Sequence, residues 1–126
     1  MELTVTGSRD GSGGLLSIDV RDIIFFEYIG GSEAQIRVHK LHETFYTMGT
    51  LRYWITALQE SGFEFALVDR NNAVNIRSIK RLDSQFKKAY FEEEITRDSK
   101  YCTLAWEKYK ALVKKLESMN QPVIIT

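Results

Sequence analysis

The chain has 126 residues, 44% apolar and 27% charged, with one proline and one cysteine; that is about one globular domain, and it excludes a fibre, a disordered tail or a disulfide scaffold. The formal charge is zero, yet residues 1–76 hold six Lys or Arg against ten Asp or Glu, and residues 77–126 hold eleven against seven. A uniformly basic nucleic-acid coat is therefore excluded, while a one-sided positive field is not.

Glu2 to Thr6 alternates polar and apolar residues with the period of a half-buried strand. The tract from Gly7 to Gly14 reads either as a flexible linker or as the loop of a hairpin returning through Leu15-Leu16-Ser17-Ile18. A turn at Asp19–Asp22 leads into Ile23-Ile24-Phe25-Phe26-Glu27-Tyr28, a β-rich apolar run too short for a helix. Gly30-Gly31-Ser32 interrupts it. Ala34 to His39 then alternates, with Ile36 and Val38 on one face and Gln35, Arg37 and His39 on the other. Lys40 to Glu43 turns the chain into a further strand, Thr44 to Met48.

At Thr50 the period changes. Leu51, Trp54, Ile55 and Leu58 fall at i, i+3, i+4 and i+7, a helical stripe with Thr50 as its N-cap and Gly62 as its stop. Strand character returns at Phe63–Val68, at Ala73–Ile76 and at Ile79–Leu82. Phe86–Phe91 and Tyr101–Leu104 read as one antiparallel pair joined by a charged tip, Glu92 to Lys100. Trp106, Tyr109, Leu112, Val113 and Leu116 mark a final helix, and Pro122 ends it before a tail that pairs at a sheet edge or frays. Strands and helices do not alternate, so a parallel doubly wound fold is disfavoured. The expected fold is mostly β with two short α-helices, the second C-terminal.

No catalytic constellation emerges. His39 and His42 are the only histidines and would point to opposite faces of a strand, so they read as exposed turn residues and not as metal ligands. Cys102 reads as a small buried hydrophobe, and no nucleophile is spaced with a base. Gly11 to Gly14 lacks the lysine and helix of a phosphate loop. Neither an enzyme, a cofactor, a metal nor a small-molecule ligand is indicated. No run approaches the roughly 20 apolar residues of a membrane helix, and Met1-Glu2-Leu3-Thr4 lacks a basic leader, so a soluble, cytoplasmic protein is expected. The turns, however, carry Arg70-Asn71-Asn72, Asn75 and Arg77. Asparagine can pair with adenine and arginine with guanine, though turn formation is the commoner reason for Asn at such positions.

The helix Leu51–Leu58 followed by Phe65-Ala66-Leu67-Val68-Asp69-Arg70-Asn71-Asn72-Ala73-Val74-Asn75-Ile76-Arg77-Ser78-Ile79 resembles the centre of the LytTR family of bacterial DNA-binding domains, whose motif reads "F.r.HRS.lVN…I". Ile18 to Glu27 resembles the family's opening strands, Lys88-Ala89-Tyr90-Phe91 its "vyF" strand, and Leu104 to Leu112 its last helix. The resemblance spans about residues 3–117 of a single domain over 1–126, with 118–126 as a tail. It implies small antiparallel sheets and binding to promoter repeats in double-stranded DNA through inter-strand loops. It also implies a homodimer on DNA and an inhibitory membrane or regulatory protein as partner. Base contacts are then expected from Asn75, Arg70 and Arg97, and phosphate contacts from Arg77, Lys80, Arg81, Lys100, Lys108 and Lys110. The chain departs from the family at Asp69, where the motif has His, at Trp106, where the last helix opens on Arg, and at Glu33. Those departures keep a second reading open: a protein-interaction module of the same fold, a decoy or adaptor, that has lost DNA recognition.

Overall fold

A computed structural model describes residues 1–126. The elements are β1 (Glu2–Thr6), β2 (Leu15–Asp19), β3 (Ile23–Gly30), β4 (Gln35–Lys40), β5 (Thr44–Met48), α1 (Leu51–Glu60), β6 (Phe65–Asp69), β7 (Asn72–Asn75), β8 (Arg81–Asp83), β9 (Lys88–Tyr90), β10 (Tyr101–Thr103), α2 (Trp106–Ser118) and β11 (Ile124–Ile125). Single 3₁₀ turns at Val20–Asp22 and Ile76–Ser78 lead into β3 and away from β7. No helix is long and apolar enough to cross a membrane.

Seven strands form one antiparallel sheet in the order β2-β1-β5-β4-β3-β7-β6, and four form a second in the order β10-β9-β8-β11. The Gly7–Gly14 tract is a hairpin loop, because β1 and β2 pair antiparallel from Glu2↔Asp19 to Thr6↔Leu15. The expected pairing of β9 with β10 is present, Tyr101 opposite Tyr90. The tail pairs at an edge: β11 runs parallel to β8, Ile124 opposite Arg81.

The large sheet is buried on both faces. On one side Val5, Ile18, Ile23, Phe26, Ile36, Val38, Phe65 and Ala73 pack beneath Leu51 and Leu58 of α1. On the other, Ile24, Phe25, Val68 and Val74 pack against Leu82, Ala89 and Cys102 of the small sheet and Leu112 and Leu116 of α2. Strict alternation would send Ile24 and Phe25 to opposite sides. An irregularity in the β3–β4 register between Ile23 and Phe25 lets both face the second core.

Helix α1 starts where the sequence places it. Thr50 has extended backbone and its hydroxyl accepts from the Tyr53 N–H at 3.0 Å. Gly49, at φ +122°, precedes it, and a Cβ there would stand 3.1 Å from the Trp54 ring nitrogen. Trp106 departs from expectation: it opens α2 but is 72% exposed, so the buried stripe begins only at Tyr109 and Leu112.

Candidate nucleic-acid interface

Three connections meet at one end of the large sheet. The β3 and β7 chains join there, the Tyr28 N–H donating to the Asn71 carbonyl at 2.8 Å. The β6–β7 turn, Arg70-Asn71, projects from that end and both residues are exposed. The β10–α2 junction is fastened beside it. The Ala105 N–H donates to the Val68 carbonyl at 2.7 Å, and the Asn72 side-chain amide donates to the Thr103 carbonyl and hydroxyl at 3.2 and 3.0 Å. The Thr103 hydroxyl in turn donates to the Asp69 carboxylate at 2.6 Å. The other Asp69 oxygen accepts from the Arg70 N–H at 2.6 Å. The acid that replaces the motif histidine therefore has both oxygens engaged inside the chain.

The β8–β9 turn reaches the same junction, the Leu104 N–H donating to the Lys87 carbonyl at 2.8 Å. Lys87 takes a left-handed backbone, φ 52°, and its ammonium lies 4.2 Å from the Trp106 ring centre and 4.6 Å from that of Tyr109. Lys88 lies 4.2 Å from the Tyr101 ring centre. These cation–π pairs hold two positive charges against exposed aromatic faces. Ala105 cannot cap α2 with a side chain, so the first N–H groups of that helix remain open beside Lys108. Glu33, in the β3–β4 turn, and Glu107 are the acids of this region with free surface.

The expected site residues do not converge. Asn75 is the clearest correction: it is 6% exposed, and its side-chain amide donates to the Ile23 carbonyl at 2.9 Å. It ties β7 to β3 and cannot reach a base. Asn75→Ala should therefore cost about 1–3 kcal/mol of stability by stranding a buried carbonyl. A urea melt measures that loss, and the sequence preference of any DNA binding should not change.

Lys100 and Arg81 are engaged within the chain. The Lys100 ammonium donates to the Glu43 carbonyl and the Thr44 hydroxyl at 2.7 and 3.0 Å, pinning the charged tip to the β4–β5 turn. Partial burial pulls its pKa down. The Arg81 guanidinium donates to the Glu93 carbonyl at 3.0 Å. Arg77, Lys80, Arg97, Lys108 and Lys110 are exposed. Arg77 and Lys80, however, belong to the far end of α2, where Gln121 donates to the Ile76 and Ile79 carbonyls at 2.7 and 3.1 Å. The 13 residues of α2 put about 20 Å between them and Trp106. Of the expected residues only Arg70 and Lys108 share the turn-rich end. Lys87, Lys88 and Thr103 join them without having been visible in the sequence, because their roles come from contacts with distant aromatic and acidic side chains.

His39 also differs from expectation. It is no exposed turn residue: its ring stacks on Phe25 at 4.1 Å and only 12% of its side chain is exposed. Its Nε2 pairs with Glu27 Oε1 at 2.9 Å, and Arg37 reaches the same oxygen at 3.0 Å. The His39 hydrogen bond, then Arg37, holds the Glu27 carboxyl below its ordinary range. Burial, with Lys100 and Arg37 nearby, pulls the His39 pKa down despite Glu27. Its Nδ1 is buried with no partner, so a second proton there would have no acceptor.

The unfolded chain consequently binds a proton at His39 that the folded one refuses. Stability should be full above about pH 6.5 and fall as the pH drops below it. Glu27, depressed when folded, adds its own loss only in more acid solution. Urea midpoints at pH 7.5 and 5.5 check this, and His39→Phe should flatten the difference. The Cys102 thiol is wholly buried, and burial, together with the nearby Asp69 charge, pushes its pKa far up.

Comparison with known proteins follows this geometry. No curated protein matches the chain in sequence. Among solved structures it is similar to the LytTr DNA-binding domain of a protein from Bacillus cereus described as a methyl-accepting/DNA response regulator. The TM-score is 0.65 at 14% identity, covering 91% of this chain and 95% of that one. That likeness carries the mostly β fold with its C-terminal helix. The sequence profile described as LytTr DNA-binding domain matches residues 13–117, most of the two sheets and both helices, and the chain accordingly belongs to the LytTr DNA-binding domain family.

Proposed function

We propose that the protein is a transcriptional regulator that binds double-stranded DNA sequence-specifically and reads promoter repeats with the turns at the Arg70 end of the large sheet. One observation carries this: Arg70 is an exposed, unpaired guanidinium on a turn that Asp69, Asn72 and Thr103 fix by hydrogen bonds. A planar donor fork carried on a fixed turn and free of partners in the chain suits the O6 and N7 edge of guanine. Lys108 beside it, with the uncapped start of α2, suits phosphates. The family's arginine at the α2 start is Trp106 here, which offers a stacking or wedging face and no base-edge hydrogen bonds of that kind. A homodimer on repeated sites and an inhibitory protein partner accompany this reading as proposals. So does action in the cytoplasm.

A second reading, the decoy or adaptor, is favoured by a different observation. Asn75 faces inward, while Phe86, Tyr101 and Trp106 are exposed together with Glu33. Selection from a randomised duplex library, followed by anisotropy titrations across salt, separates the two. The DNA reading expects a recovered duplex bound at about 10⁻⁸ M or tighter at physiological salt, weakening linearly in log–log form as salt rises. Binding no better than about 10⁻⁴–10⁻⁶ M on every duplex is the non-specific range and gives the case to the adaptor.

A further inference from the structure

A cleft of about 520 Å³ lies between α1 and the β6–β7 turn. Tyr28, Leu51, Ile55 and Leu67 supply its apolar lining, and Arg52 and Arg70 its charge; no acid lines it. Leu67 is exposed on the edge strand β6 and leaves its apolar side chain open to the cleft. The chain's ion pairs are made by Arg21, Arg37, His39, Lys40 and Lys115 with Asp19, Glu27, Glu43 and Glu64. Neither cleft arginine takes part. Two unpaired guanidiniums over an apolar floor, in a cavity of small-ligand size, form a complementary site for an anion with an apolar body. A phosphodiester backbone meets only half of that description, since it has no apolar portion to cover Leu51, Ile55 and Leu67.

We propose that this cleft binds a small amphipathic carboxylate, and that the bound ligand regulates DNA contact by occupying Arg70. The regulatory half rests on the DNA reading above; the binding half does not. The carboxylate takes the two guanidinium forks, and its apolar chain lies along α1 and Leu67. Because Arg70 sits at once in the cleft and on the exposed turn, ligand and duplex compete for one side chain. Arg52 lies on the first turn of α1 and serves the ligand alone.

Calorimetric titration of the full chain with decanoate, decanol and acetate tests the site directly. Decanoate should bind saturably, with decanol (the same body without charge) and acetate (the same head without body) at least tenfold weaker. Arg52→Gln is a surface change that leaves the core untouched, and it should weaken decanoate at least tenfold. With the duplex recovered by selection, decanoate should raise the apparent Kd of the unmodified chain at least threefold and leave that of Arg52→Gln unchanged. A flat decanoate titration, equal binding of decanol, or an unaltered response in Arg52→Gln overturns the site. Saturable decanoate binding with no effect on a duplex that binds well overturns the regulation. Failure of the DNA reading looks different, since no duplex would then bind even without decanoate, while the calorimetric result would still decide the cleft.

Discussion

Arg70→Ala is expected to weaken binding to the selected duplex by about 1–3 kcal/mol, from fivefold to more than a hundredfold, and to relax the preference at one base pair. The size follows from what the side chain lacks. Arg70 is exposed and has no ion-pair or hydrogen-bond partner in the chain for its guanidinium, so nothing in the free protein is lost with it. Its backbone is held by Asp69, whose contacts to Thr103 and to the Arg70 N–H survive the substitution. Thermal stability should consequently stay unchanged within about 0.5 kcal/mol, and the whole effect should appear in binding. Lys108→Ala makes the comparison: it should weaken all sequences alike and lower the salt slope by about one. Anisotropy titrations on the selected duplex and on single-base variants measure both. A uniform loss in Arg70→Ala would make it a phosphate contact and remove the observation on which the base-reading proposal rests.

Phe26→Ala should have the largest effect on folding, a loss of about 3–5 kcal/mol against a total near 5–15 kcal/mol for a domain. Phe26 is fully buried at the middle of β3, opposite Val38 of β4 and Ala73 of β7. Its ring centre lies 5.5 Å from Phe65 of β6 and 6.1 Å from Trp54 of α1, so it ties β3 both to the edge of the sheet and to the helix above it. The cavity left behind would have little means of closing. Hydrogen-bonded strands flank β3 on both sides, and its opposite face is occupied by the second core through Phe25. Urea denaturation reads the loss, and a change below about 1 kcal/mol would mean that α1 collapses onto the sheet far more freely than this packing allows.

Much of the architecture was legible in the residues because it depends on local period. The switch from alternation to a 3.6-residue stripe at Leu51, with Thr50 before it and Gly62 after it, marks α1 without any tertiary information. The sequence-level pairing of β9 with β10 across a charged tip had the same source. The site was far less legible. The side-chain amide of Asn75 has the same hydrogen-bonding chemistry whether it meets adenine or the Ile23 carbonyl, and only the packing of β7 against β3 decides. Lys100 lies far along the chain from its acceptors on Glu43 and Thr44, and no period links them. Trp106 fits a helical stripe by spacing, yet it is the first residue of α2 and stays exposed there, with the Lys87 ammonium over its ring. The parallel pairing of β11 likewise depends on where α2 delivers the chain, which the tail itself does not encode.

The buried thiol of Cys102 gives the molecule a built-in clock. A thiol only 2% exposed is out of reach of oxidants and alkylating reagents while β10 lies against the large sheet. Each modification event therefore counts one excursion of that strand away from its bed. The neighbouring residue, Thr103, donates to the Asp69 carboxylate, so the same excursion removes one of the two hydrogen bonds that fix this acid at the foot of the Arg70 turn. The rate at which a maleimide captures Cys102 thus sets an upper bound on how often the turn loses its Thr103 support.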